Sequence, residues 1–231
     1  MLKRTIDERP YKHEGGMIKD KPHILAMGLM NGVVWYMLRH FKKLTFIGKI
    51  VPDRAKATLV LMNHFSFNDG AVLHYYTRKI LQKKFKVMVV EAQLKAFGIL
   101  RYVGCFSVNK KSRMVLESLN YAADLLKDPQ NMLGIFPQGE VFSMHLNRIH
   151  FESGLGKILK KSKDVPFQTV FGVVLLDYLD GFKPHARVYL EEYSGERDLL
   201  EMERAYNDFY RRCKVKQQHL HKPPANVIDV D

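Results

Sequence analysis

Between residues 57 and 190 short apolar runs alternate with stretches of helical spacing, and this alternation restricts the fold more than any other feature of the chain. The runs 57–62, 86–90, 105–108, 132–136, 167–176 and 186–190 read as β-strands. Residues 112–127 carry Val115, Leu119, Ala122, Ala123 and Leu126 at helical spacing, and 154–162 and 198–214 read as further helices. Strands that alternate with helices predict an α/β fold, a three-layer domain with a mostly parallel central sheet flanked by helices. At 231 residues the chain is long enough for one sizeable core. The expected organisation is an N-terminal arm and helix over 1–42, one domain over 43–216 and a loosely attached tail over 217–231.

The first 21 residues are polar and broken by Pro10, Gly15 and Gly16, which predicts an irregular arm. Residues 24–38 then turn apolar. This stretch is shorter than the roughly 20 residues a spanning helix needs. Trp35 and Tyr36, followed by Arg39, His40, Lys42 and Lys43, have the order of an amphipathic segment lying in a membrane interface. A helix packed on the domain's own core fits the same residues. No secretory signal is visible at the N-terminus.

Charge and cysteine usage narrow the setting. Lys and Arg number 37 against 24 Asp and Glu, a formal charge of +13, which attracts nucleic acid, anionic lipid or phosphorylated substrates. No helix-turn-helix, zinc-finger spacing or RNP-like aromatic motif is present, so nucleic acid is not the expected partner. Cys105 and Cys213 are far apart and in unlike contexts, which argues against a disulfide framework and for a reducing, cytosolic setting. His145 with His150, and His219 with His221, lack the cysteine or carboxylate neighbours of a metal shell, so no metal is expected.

The segment Asn63-His64-Phe65-Ser66-Phe67-Asn68-Asp69-Gly70 follows the run 57–62 directly and places His64 and Asp69 in a strand-to-helix turn. Open parallel sheets keep their chemistry at such strand ends. A histidine can take a proton from a hydroxyl near neutral pH if a carboxylate fixes its tautomer, so His64 is the candidate base and Asp69 its orienter. A plain helix cap, with Asn68 or Asp69 as N-cap, would use the same residues. Two other strand ends stand out: Gly104 to Lys111, which ends in cations, and Phe136-Pro137-Gln138-Gly139-Glu140, a tight turn. Lys110, Lys111 and Arg113 suit a phosphate, or are surface charge at a helix start.

In this order and at these separations, residues 43–193 resemble the PlsC-like glycerolipid acyltransferases, which transfer a fatty acyl group to a hydroxyl. Asn63, His64 and Asp69 match the NH-x4-D block, where the family places its catalytic histidine and carboxylate. Gly104, Ser107, Val108 and Lys110 align with G-x2-F-[IV]-x-R, and residues 136–142 with FPEGTRS. Val165-Pro166 with Thr169 stand in the fourth block. The departures bear on the acceptor: the acidic residue has moved to Glu140 with Gln138 in its place, the phosphate-gripping arginine is Val141, and the second-block arginine is Lys110.

The resemblance implies direct acyl transfer from a thioester, acyl-CoA or an acyl carrier protein, to a lysophospholipid or related lipid at the cytoplasmic face of an anionic membrane. No other cofactor is implied. Asn63, Lys110, Lys111, Arg113, Phe136, Pro137, Gln138, Gly139 and Glu140 are the expected substrate-binding residues, with backbone amides around Gly139 receiving the oxyanion. The altered third block also permits a glycolipid, amino-acid lipid or pigment hydroxyl as acceptor. A basic membrane- or polyanion-binding protein without catalysis is the alternative from another class.

Overall fold

The computed structural model describes residues 16–109, 114–179 and 181–220. They form one seven-stranded sheet from β1 (Lys43–Ile47), β2 (Ala57–Met62), β3 (Lys84–Val90), β4 (Cys105–Val108), β5 (Asn131–Ile135), β6 (Phe167–Asp177) and β7 (His185–Tyr193). The order across the sheet is β1-β7-β6-β2-β5-β3-β4. Every neighbouring pair is parallel except β6 and β7, so β1 and β7 run against the other five. All six residues of β2 and all five of β5 are buried, as a strand covered on both faces requires.

The helices are α1 (Ile24–Leu38), α2 (Asp69–Tyr75), α3 (Glu91–Ala96), α4 (Val115–Leu125), α5 (Ser153–Lys161) and α6 (Leu199–His219). Alternate residues of the strands feed two separate cores. Leu59, Leu61, Leu133, Ile135 and Phe171 pack with Leu119, Leu155 and Tyr206 from α4, α5 and α6. Val60, Met62, Met132 and Val170 pack on the opposite face with Met30 and Val34 of α1 and Val72 of α2. The chain thus leaves β2 toward one face and β5 toward the other. These strands are neighbours, and a crevice opens at their carboxyl ends where the two paths diverge.

Both terminal segments pack on the domain over their described parts. The arm is docked over its described part: Ser107 donates its N–H to Ile18 O at 2.9 Å and Ile18 donates to Ser107 Oγ at 2.8 Å, which covers the β4 edge. The Asp20 side chain is buried there and accepts from Lys86 Nζ and from Tyr121 Oη at 2.6 Å. At the other end α6 runs to His219, past the expected boundary at 216, because Gln217 is buried and takes the Tyr189 hydroxyl at 2.6 Å.

The N-terminal helix is present, but its apolar side chains go all the way round instead of dividing it into an apolar and a polar face. Met30 and Val34 are buried in the core, whereas Ile24, Leu25, Leu29, Trp35 and Tyr36 are 60–76% exposed. No described helix is long and apolar enough to cross a membrane.

Candidate active site

His64 leaves the end of β2 and is held from four directions. Its Nδ1 lies 2.9 Å from Asp69 Oδ2. Its backbone N–H donates to Gln138 Oε1 at 2.7 Å, and its carbonyl accepts from the Phe142 N–H at 3.0 Å. The Phe136 ring stacks on the imidazole with centroids 4.2 Å apart and planes 21° from parallel. The loops after β2 and β5 are therefore joined side chain to backbone around one histidine.

Asp69 opens α2 and is almost wholly buried, with the same Oδ2 also accepting from the Phe65 and Ser66 amides at 2.8 Å each. A carboxylate oxygen in receipt of two amides is a fixed acceptor, so the His64 proton sits on Nδ1 and the lone pair on Nε2. Ser66 Oγ accepts from the Asn68 N–H at 3.0 Å, as a turn residue does.

Nε2 belongs to a side chain that borders a cavity of about 650 Å³. The lining is largely apolar and draws on both cores: Met30 and Val34 from one, Leu119, Leu155 and Ile158 from the other. His64, Phe136, Pro137, Gly139 and Glu140 border its polar end. That volume suits a lipid chain or a comparable small molecule. Neither cysteine offers a nucleophile, since burial pushes both the Cys105 and Cys213 thiols up to about 12.

The acyltransferase family model matches residues 43–172, more than half of the sequence. The chain belongs to the acyltransferase family. Among solved structures it is similar to the 1-acyl-sn-glycerophosphate acyltransferase PlsC from Thermotoga maritima, at 14% identity and a TM-score of 0.49, over 86% of this chain and 82% of that one. A pilus retraction motor, PilT with bound ADP, aligns at 11% identity and a TM-score of 0.27, over 71% of this chain and 53% of that one. No curated protein matches the sequence significantly.

Within this acyltransferase the expected site residues fall into three groups. His64, Asp69, Phe136, Pro137, Gly139 and Glu140 converge on the crevice. Asn63 and Gln138 are not among the residues that line the cavity; Gln138 Oε1 holds the His64 amide, and Asn63 is bonded to β6. Asn63 Nδ2 donates to Val174 O at 3.0 Å and its Oδ1 accepts from the Val174 N–H at 2.8 Å, which extends the β2–β6 ladder by one side chain. Both ends of the Asn63 amide are thus engaged by the β6 backbone, beside His64 in the chain. Lys110, Lys111 and Arg113 lie outside the described residues.

Of the amides around Gly139 expected to receive the oxyanion, one is already engaged. Gly139 is left-handed at φ 70°, and its N–H closes the turn onto Phe136 O at 2.9 Å. Among the lining residues not anticipated are Lys157 and His74. Lys157 stands exposed on α5 at the cavity's edge, and His74 is buried on α2. Both were legible only as members of their helices. Among the described residues no group of three or more His, Cys, Asp or Glu is placed to hold a metal, and His150 instead approaches Glu203 at 3.5 Å.

Replacing Asn63 with alanine strands the buried Val174 N–H and carbonyl. The expected cost is about 2 kcal/mol, a fall in Tm of roughly 4–8 °C by calorimetry. An unchanged Tm would mean that Asn63 has no such structural role.

Proposed function

We propose that this acyltransferase moves a fatty acyl group from acyl-CoA or an acyl carrier protein thioester to a hydroxyl of a lysophospholipid or related lipid, with His64 as general base. The observation that carries this reading is the Asp69–His64 pair at the polar end of a large apolar cavity. The acceptor hydroxyl gives its proton to Nε2 while its oxygen attacks the thioester carbonyl. The tetrahedral adduct then collapses, the C–S bond breaks, and the departing thiolate takes the proton back from the imidazolium. Asp69 stabilises the imidazolium between these steps. The Val141 amide, two residues beyond Gly139, is the candidate donor to the oxyanion.

The apolar Val141, 54% exposed where the family carries arginine, favours a second acceptor class without phosphate: a glycolipid, an amino-acid lipid or a pigment hydroxyl. Incubation with labelled acyl-CoA and acyl carrier protein thioesters, against a panel of phosphorylated and neutral lipid alcohols, tests both. Transfer to at least one lipid hydroxyl is expected. Thioester hydrolysis alone, or no turnover with any pair, would contradict the reading.

The acceptor's tail stays in lipid while its hydroxyl enters the crevice, so the exposed flank of α1 is proposed to lie on an anionic membrane at its cytoplasmic face. Leu29, Val33, Trp35 and Tyr36 supply apolar contact. Lys42 and Lys43 follow directly, each worth about 1 kcal/mol at an anionic surface. Flotation on anionic liposomes is expected to fall for Trp35→Ala, to fall further for Lys42→Glu/Lys43→Glu, and to be reversed by salt. Binding that neither variant weakens would reject α1 as the contact.

A further inference from the structure

His74 is a buried polar group on the cavity wall that the acyl-transfer chemistry does not use. It is 4% exposed, and its ring meets Phe85 edge-on with centroids 4.9 Å apart. Among the described residues its imidazole has no hydrogen-bond partner, although both ring nitrogens are polar. Burial, aided by the nearby Arg78 charge, pushes the imidazole down to about 4, so it is neutral at physiological pH, with one donor and one acceptor.

The helix shows where those two groups are presented. Gly70, Ala71 and His74 all line the cavity, and the spacings of three and four residues put them on one face of α2. Gly70 and Ala71 leave room beside the wall. His74 stands one turn beyond Gly70, about 6 Å further along the helix from the end where Asp69 holds His64. Of the core cluster that includes α2, the lining residues Met30, Val34, Phe85, Val87 and Val103 are all apolar, and Phe85 meets the His74 ring directly. A plain aliphatic chain in this limb would cover the imidazole and leave it unsatisfied, and protein sites that bury a hydrogen-bonding group discriminate against ligands that cannot pair with it.

We propose that His74 is a specificity-determining residue that hydrogen-bonds a hydroxyl carried on a lipid chain, several carbons from the reacting ester carbon. A hydroxyl can pair with whichever ring nitrogen faces the cavity, since it accepts from an N–H and donates to a lone pair. The proposal rests on the reading of this cavity as a lipid-chain site. The chain belongs either to the thioester donor or to the lipid acceptor, and the chemistry at His74 is the same in both.

The test has a binding arm and a turnover arm, both on the full chain. In the first, hexadecanoate and a series of monohydroxyhexadecanoates, with the hydroxyl moved along the chain, displace a fluorescent fatty acid. One hydroxyl position is expected to bind about tenfold more tightly than the plain chain, a difference of about 1.4 kcal/mol. His74→Leu should erase that preference by improving plain-chain binding, and His74→Gln, which keeps a donor and an acceptor, should retain part of it. In the second arm, the same hydroxyl placed first on the acyl-CoA and then on the lysophospholipid assigns the chain to donor or acceptor by which series raises kcat/KM. A flat wild-type series, or a preference that survives in His74→Leu, overturns the proposal; a flat series with normal acyl transfer leaves the catalytic reading standing. A positional preference without any transfer would sustain the His74 site and reject the catalytic reading.

Discussion

His64→Ala is expected to reduce kcat/KM for acyl transfer by 10²- to 10⁴-fold with the fold intact, the usual worth of a positioned general base. The imidazole is bound to the structure mainly through its own backbone, whose N–H and carbonyl engage Gln138 and Phe142 and survive truncation of the side chain. The lost ring contacts are those to Asp69 and Phe136. Thermal unfolding of the variant should therefore stay within a few degrees of wild type while turnover collapses. Binding of the thioester should persist, because the apolar cavity is unchanged. A loss of activity matched by a loss of folded protein would place His64 among the structural residues.

Gly104→Ala is expected to be the most damaging single change to the fold, at about 4 kcal/mol and a fall in Tm of roughly 10 °C. Gly104 has φ 109°, a conformation that L side chains rarely adopt, and a Cβ there would lie 1.8 Å from the Phe85 carbonyl oxygen. The same glycine accepts the Val87 N–H at 3.1 Å and leads directly into the β3–β4 pairing at Val87 and Cys105. Moving it displaces one wall of the cavity. Gly98→Ala is the control, since a Cβ at Gly98 meets nothing within 4 Å and should cost little. Equal stability of the two variants would contradict the close approach at Gly104. The glycine of the second motif block is thus required by strand packing, whatever its neighbouring lysines bind.

The parallel core was legible because β2, β5 and most of β6 are buried on both faces and so read as unbroken apolar runs. That placed His64 and the Phe136 turn at strand ends, and the divergence of the paths after β2 and β5 brings them together. Elements fixed by long-range pairing were harder to see. β1 is short and only part-buried, and its place beside β7 depends on residues some 140 positions away. The docking of residues 16–23 depends on Asp20 reaching Lys86 and Tyr121, and a lone acidic residue in a polar arm gives no hint of that. Within the site, the NH-x4-D spacing revealed the His64–Asp69 pair but not that Asn63 would turn inward to Val174. His74 was hidden for the opposite reason: one histidine in an apolar helix looks like any satisfied core histidine.

Asp69 has no access to substrate except through His64, so the two residues should behave as one unit. A double-mutant cycle on kcat/KM with His64→Ala, Asp69→Asn and the pair tests this most directly. General-base catalysis by a carboxylate-oriented His64 predicts that Asp69→Asn is severe alone and adds less than about twofold once His64 is gone. Losses that multiply in the double variant, or near-normal turnover by His64→Ala, would contradict it.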